Sequence, residues 1–214
     1  MSQFFEIHPV TPQRRLIHRA VEILNGGGVI AYPTDSTYAV ACRVGEKSAA
    51  DRIRLLRGDG REHNFTLVCR DLSELATYAR VEKATFRMLK ALTPGPYTFI
   101  LPATREAPRR LQHPKRKTIG IRVPDNIIVQ ALLEALGIPL TSATLALPGD
   151  ALPVSDVVDA RPRLESAVDA IIDGGACGVE PTTIVDLTGE PVVVRAGKGD
   201  VERVEAASPA RGTV

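Results

Sequence analysis

The 214-residue chain has no tryptophan, and its four tyrosines and five phenylalanines make aromatics only 4% of the whole. Such a chain has few flat faces on which nucleic-acid bases can stack. It also lacks an excess of one charge: 27 basic and 25 acidic residues leave a formal net charge of +2. Attraction to a polyanion must then come from a local patch, because the field of the whole molecule is weak. Cysteines are few. Cys42, Cys69 and Cys177 lie far apart, with no CxxC and no histidine at ligand spacing. That excludes a disulfide framework and fits three small core residues in a reducing, cytosolic compartment. His8, His18, His63 and His113 are scattered, which argues against a histidine metal site. No stretch approaches the roughly 18 apolar residues needed to cross a bilayer, and the opening MSQFFEIHPVTPQRR lacks the order of a signal segment. These absences point to a soluble, cytoplasmic protein. The familiar phosphate and nucleophile loops are missing as well: there is no GxxxxGK[ST], no GxGxxG after a strand and no GxSxG. "GGGV" at Gly26 reads as a helix stop. "GKGD" (Gly197 to Asp200) follows a strand, with no helix opening behind it in the required way.

What is present is a 44% apolar content, enough for a substantial core. Thr11-Pro12 reads as a helix cap with a first-turn proline. Leu16, Ile17, Ala20, Val21 and Leu24 then recur at helical spacing. Val29 to Tyr32 is a short apolar strand, and Ser48 to Arg57 a second helix. "FTLVC" (Phe65 to Cys69) is a strand; Asp71 or Ser73 caps a short helix, and Glu82 to Leu92 form another. "YTFIL" (Tyr97 to Leu101) and "TIGIRV" (Thr118 to Val123) are strands, and Asn126 to Leu136 is an amphipathic helix closed by Gly137. "IPLTSA", "AIID", "TTIVDL" and "PVVVRAG" supply the late strands. Interleaved strands and helices make the class α/β, and closely spaced late strands make the sheet mixed. One domain over residues 4–204 is expected, with 205–214 as a disordered tail.

Three stretches carry the chemistry. In "VIAYPTDSTYAVA" (Val29 to Ala41), Thr34, Asp35, Ser36 and Thr37 interrupt an apolar run, as a turn or as a hydrogen-bonding floor beneath a ligand. In "APRRLQHPKRKTIGIR" (Ala107 to Arg122), Arg109, Arg110, Lys115, Arg116, Lys117 and Arg122 occur without a single acid. This is either a solvated loop or a rim facing phosphates. Period two puts Thr118, Gly120 and Arg122 on one face of their strand, opposite Ile119, Ile121 and Val123. An arginine fixed on a strand suits a carboxylate or a phosphate, because its fork binds both oxygens. In "PLTSATLALPG" (Pro139 to Gly149), Ser142 and Thr144 likewise share a side.

Together these residues resemble the YrdC/YciO family, the domain of threonylcarbamoyl-adenylate synthases. The matching stretches are "YPTDSTYAV", "TPGPYTFIL", "TIGIRVPDN", "PLTSATLALPG", "PTTIVDL" and "VVVRAG", in family order from about Phe4 to Val204. Within the family the YciO branch fits best, on "HNFTLVCRDLSEL" and "LALPG". The resemblance implies a single domain built on a twisted, open, mixed sheet with flanking helices and a concave basic face. It implies condensation of L-threonine, bicarbonate and ATP into threonylcarbamoyl-AMP with release of pyrophosphate, magnesium accompanying the phosphates, and later transfer to a tRNA adenosine. By motif, Thr34, Ser36, Arg122, Ser142 and Thr182 would hold threonine or bicarbonate. Arg57, Arg61, His63, Thr118, Thr144 and Arg195 would lie near the nucleotide, with Asn64 as an alternative to His63. Asp59 and Ala146 stand where the family pattern carries an arginine and an asparagine. Arg109, Arg110, Lys115, Arg116 and Lys117 are the candidates for gripping tRNA or double-stranded RNA by its phosphates. A nucleotide- or RNA-binding protein of the same fold without turnover is the alternative. No metal-ligating residue is assigned, and the oligomeric state, a homodimer included, is left open.

Overall fold

A computed structural model describes residues 2–58 and 65–208. The chain begins with β1 (Gln3–Glu6), α1 (Arg14–Asn25), β2 (Val29–Tyr32), β3 (Ala39–Arg43), α2 (Lys47–Arg57) and β4 (Thr66–Val68). Then come α3 (Leu72–Tyr78), α4 (Lys83–Leu92), β5 (Tyr97–Pro102), β6 (Thr118–Arg122), α5 (Ile127–Leu136) and β7 (Leu140–Thr144). The last elements are α6 (Val157–Leu164), β8 (Ala170–Asp173), β9 (Thr183–Asp186), β10 (Val192–Arg195) and α7 (Val201–Ala207). All ten strands join one open, mixed sheet in the order β1-β8-β2-β3-β7-β4-β6-β5-β9-β10.

Local chemistry sets the helix ends. Asp71 caps α3 by accepting from the Glu74 amide, Asn126 caps α5 by accepting from the Val129 amide, and Gly137 closes α5 in the left-handed conformation. The expected cap at Thr11-Pro12 is not used: Thr11 bonds to the Nδ1 of His8 at 3.0 Å through its hydroxyl, and α1 starts at Arg14 behind Gln13. β1, β3 and α6 have no counterpart in the sequence reading. Pro162 lies inside α6, and that residue usually argues against a helix. A helix also follows "GKGD", contrary to expectation: Asp200 caps α7 through the Glu202 amide. α7 runs past Val204 to Ala207, and both Val204 and Ala207 pack on the core; residues 209–214 lie outside those described.

Each face of the sheet has its own core. One face packs Val29, Val40, Leu67, Phe99, Ile121 and Val185 against residues of α2, α3, α4, α6 and α7. On the other, Ile30, Tyr32, Ala39, Ala41, Leu140 and Ile172 lie under α1 and α5. Burying each large aliphatic side chain there contributes about 1.5–3 kcal/mol before entropy is counted. That second cluster takes in β8, β2 and β3 and gives out at β4, where Val68 is its last strand residue. Beyond it the same face carries Gly120 and several hydroxyl side chains, with Ile100, Ile184 and Arg122 among them. The register aligns Ser142 of β7 with Thr66 of β4, Thr66 with Gly120 of β6, and Gly120 with Ile100 of β5. Cys42 and Cys69 are buried as expected, and Cys177 is half-buried, packed against the first of these cores with its thiol reaching the Thr34 carbonyl. Among the described residues no helix is long and apolar enough to cross a membrane.

Candidate functional site

The part of the sheet face that α1 and α5 leave bare holds two adjoining hollows. The inner one, about 30 Å³, is lined by Thr37, Ala39, Thr66, Val68, Thr98, Arg122, Ser142, Ala143, Thr144 and Thr182. The outer one, about 160 Å³, shares Thr66 and Thr98 with it and adds Phe65, Ile100, Leu111, His113, Arg116, Thr118, Gly120 and Ile184. Of the ten buried polar side chains among the described residues, six line these hollows: Thr37, Thr98, Thr118, Arg122, Ser142 and Thr182. Buried polar groups are costly unless they find partners, so their concentration here points to a ligand. Larger hollows of about 490 and 630 Å³ flank α4, yet no buried polar side chain lines either.

Period two along β6 sends Arg122 into the inner hollow with Thr118 and Gly120 on the same face, as the sequence alternation predicts. The guanidinium is buried and pairs through one Nη with Asp35, whose other oxygen accepts from the Asp125 amide. Arg122 Nε is buried and has no partner among the described residues. Ser142 Oγ lies 2.8 Å from the Tyr32 hydroxyl and donates to the Val40 carbonyl at 3.3 Å. Thr98 and Thr182 share a hydrogen bond of 2.8 Å across β5 and the loop before β9. That loop is fixed from behind. The Arg195 guanidinium donates to the Thr182 carbonyl at 2.8 Å, and the Gly197 amide donates to Thr183 Oγ1 at 2.9 Å. Gly197 has to be glycine, since an added Cβ would sit 2.3 Å from the Pro181 carbonyl oxygen.

The hydroxyls of the turn between β2 and β3 bond to one another and to the turn's own backbone. Thr34 Oγ1 donates to the Thr37 carbonyl at 2.7 Å and accepts from the Ser36 amide at 3.1 Å, with Ser36 Oγ also 3.1 Å away. Thr34 and Ser36 are buried and hold the turn, and neither lines the hollow; Thr37 does. Arg57 closes α2 and is half-buried, and it lines neither hollow. Gly58 beside it faces Pro148, in the loop after β7. Arg61, His63, Asn64 and Asp59 lie outside the described residues. Thr144 lines the inner hollow and Thr118 the outer one. Arg195 reaches the site only by bracing Thr182.

The lining of the inner hollow is mainly neutral hydroxyl, and the outer one sets Thr66, Thr98 and Thr118 beside Phe65, Ile100, Leu111 and Ile184. Within the two linings the cations are Arg122 and Arg116, so the expected basic face is a basic rim. Arg109, Arg110, Lys115, Arg116 and Lys117 are all exposed on the loop between β5 and β6, and none forms an ion pair among the described residues. Arg122 is buried and paired, and so leaves that group of six. The sequence reading missed Thr66 and Thr98. Each is the polar member of an otherwise apolar strand, on the alternation that places it beside Gly120, and that signal was available.

The fold and the hollow can be set beside known proteins. The family model for Sua5, YciO and YrdC proteins, described as telomere recombination, matches residues 22–197. The chain belongs to the Sua5/YciO/YrdC family. It is 58% identical to YciO of Escherichia coli K12 over 203 residues, covering 94% of this chain and 98% of that one. It is 33% identical to the threonylcarbamoyl-AMP synthase of Halorhodospira halophila, covering 85% and 94%. Among solved structures, E. coli YciO superposes with a TM-score of 0.91 at 57% identity, covering 95% of this chain and all of that one. Sua5 of P. abyssi complexed with L-threonine has the same fold, with a TM-score of 0.88 at 22% identity, covering 96% of this chain and 61% of that one.

Proposed function

We propose that this YciO-like chain binds L-threonine and a nucleotide in the paired hollows and joins them, with bicarbonate, as threonylcarbamoyl-AMP. The observation that carries the reading is Arg122, a buried cation that lines the hydroxyl-rich inner notch and whose Nε has no partner among the described residues. An unsatisfied buried donor is costly, and a carboxylate oxygen is the acceptor that suits it best. The inner notch has room for one small polar group, so the rest of the ligand extends over Gly120 into the outer hollow. The threonylcarbamoyl-AMP synthases among the relatives support the same ligand pair.

The chemistry needs no side-chain nucleophile. The threonine amine attacks bicarbonate to give a carbamate and water. A carbamate oxygen then attacks the α-phosphorus of ATP in line, and pyrophosphate leaves with the electron pair of the broken P–O bond. The protein contributes positioning and charge neutralisation. Magnesium in this reading arrives on the phosphates; among the described residues no three His, Cys, Asp or Glu side chains are grouped to hold an ion. The test is pyrophosphate release. It is expected to require threonine and bicarbonate together and to fall about 10²-fold or more in Arg122→Ala. Folded protein at high concentration that binds ATP and threonine yet releases no pyrophosphate would show a binding protein and end the synthase reading.

A second activity is favoured by the exposed, unpaired cations of residues 109–117. We infer that they grip the phosphates of tRNA or double-stranded RNA beside the hollow.

A further inference from the structure

The inner hollow offers a zwitterionic ligand one cation and no available carboxylate, because Asp35 is engaged by Arg122 and by the Asp125 amide. An amino group placed there must be received by neutral oxygen atoms. Which of them can accept depends on where their protons lie.

The Ser142 hydroxyl has one proton and two oxygen neighbours, the Val40 carbonyl and the Tyr32 hydroxyl. The carbonyl, a pure acceptor, lies 3.3 Å away. The Tyr32 hydroxyl is 2.8 Å from the same oxygen. If Ser142 donates to Val40, the phenol must donate to Ser142. Tyr32 is fully buried, and burial pushes its ionisation up to about 12, so the phenol keeps its proton across the physiological range. Ser142 then has both local partners in place and one lone pair left, and its residue lines the hollow. The reach of Tyr32 is built into the sheet. It stands on β2, two strands from β7, and the intervening β3 carries only Ala39 opposite Tyr32 and Ala41 opposite Ser142. Small side chains at both positions let the ring cross β3.

We propose that Tyr32 is a positioning residue that fixes Ser142 as a hydrogen-bond acceptor for the amino group of an amino-acid ligand. The proposal rests on the threonine reading above, and it adds a residue that touches no ligand itself.

Tyr32→Phe keeps the ring and removes the donor, leaving Ser142 free to turn its own proton toward the hollow. Calorimetric titrations with L-threonine and with 3-hydroxybutyrate, which has the carboxylate and hydroxyl but no amine, test the idea. Tyr32→Phe should weaken L-threonine about 3- to 10-fold, the worth of one hydrogen bond, and leave 3-hydroxybutyrate unchanged. A double-mutant cycle with Ser142→Ala gives a second readout that needs only L-threonine: once Ser142 is gone, Tyr32→Phe should add nothing. Equal weakening of both ligands, or additive losses in the cycle, would mean that Tyr32 is merely structural, and the proposal falls. If Tyr32→Phe does not fold, Ser142→Ala with the two ligands decides, and equal loss again overturns it. Wild-type protein that binds no L-threonine removes the threonine reading and this proposal together, an outcome distinct from the others.

Discussion

At the residue scale the site depends on what is missing from one position. Gly120 lies in the middle of β6 on the floor of the outer hollow, between Thr66 and Ile100. Its nearest neighbours to an added Cβ are the Phe65 carbonyl oxygen, Thr66 Oγ1 and Thr98 Cγ2, all at 3.8 Å, an ordinary van der Waals distance. The protein can therefore take Ala here without moving, and the ligand would lose the space. Removing a glycine from a strand also lowers the entropy of the unfolded chain, worth about 0.4–1 kcal/mol. Gly120→Ala is expected to keep or slightly raise Tm while weakening ATP binding several-fold. Thermal unfolding and calorimetry on the same sample check this, and unchanged affinity would remove the hollow as a ligand seat. Thr34 and Ser36 show the limit of reading single residues. Hydroxyls in a turn-forming sequence can face a ligand or bond back to the chain, and only the path of the backbone decides. Here Thr34 has spent both its proton and an acceptor position on its own turn.

At the element scale, much of the secondary structure was legible because capping and periodicity are local. Asp71, Asn126 and Gly137 all act where the sequence placed them. The strand order was not legible. β4 lies between β7 and β6, pairing antiparallel with one and parallel with the other, and no local signal specifies partners so distant in sequence. The convergence of Arg122, Ser142 and Thr182 follows from that order, which is why motif resemblance was needed to group them. One long-range tie can be tested directly. Asp169, just before β8, accepts from the Val29 amide at 2.7 Å and pairs with Arg52 of α2 at 2.8 Å. Desolvation pushes its carboxyl up, but the Arg52 hydrogen bond, the Val29 amide and the Arg52 charge outweigh it and leave the group below its ordinary value of 3.8. A lowered folded-state value means stability that is present above the unfolded-state value and is lost as pH falls through the folded one. Asp169→Asn keeps an acceptor for Val29 and loses the charge. It should cost about 0.5–1 kcal/mol at pH 7, a modest figure because the pair is partly exposed to solvent. The deficit should shrink below pH 3.8. Urea unfolding midpoints at pH 7 and pH 3 measure both quantities, and an equal deficit at the two would show that the charge contributes nothing.

At the scale of the whole molecule, the two halves of one sheet face have different solvents. Under α1 and α5 it is apolar and closed; from β7 to β9 it is lined by hydroxyls and open, with a loop rich in unpaired cations along one side. The net charge of +2 gives almost no long-range attraction to RNA, so RNA binding needs a local patch, and that loop is the candidate. Arg109, Arg110, Lys115, Arg116 and Lys117 are close enough in sequence to act as one patch, and no acid interrupts residues 107–122. If each meets a phosphate, log affinity should fall with log salt at a slope of roughly −3.5 to −4.5. Arg116 complicates the obvious charge reversal. It lines the outer hollow, so changing it would disturb the nucleotide reading as well. R109E/R110E/K115E leaves the hollow's lining intact. It should abolish RNA binding at low salt, because three contacts are replaced by three repulsions, while L-threonine and ATP affinities stay within about twofold. Filter binding across a salt series on the wild type and this variant separates the two activities. A flat salt dependence in the wild type would show that the loop is merely solvated. A variant that loses nucleotide and RNA together would show that the rim and the hollow form one continuous surface, with the RNA's own nucleotide as the natural occupant of the outer hollow.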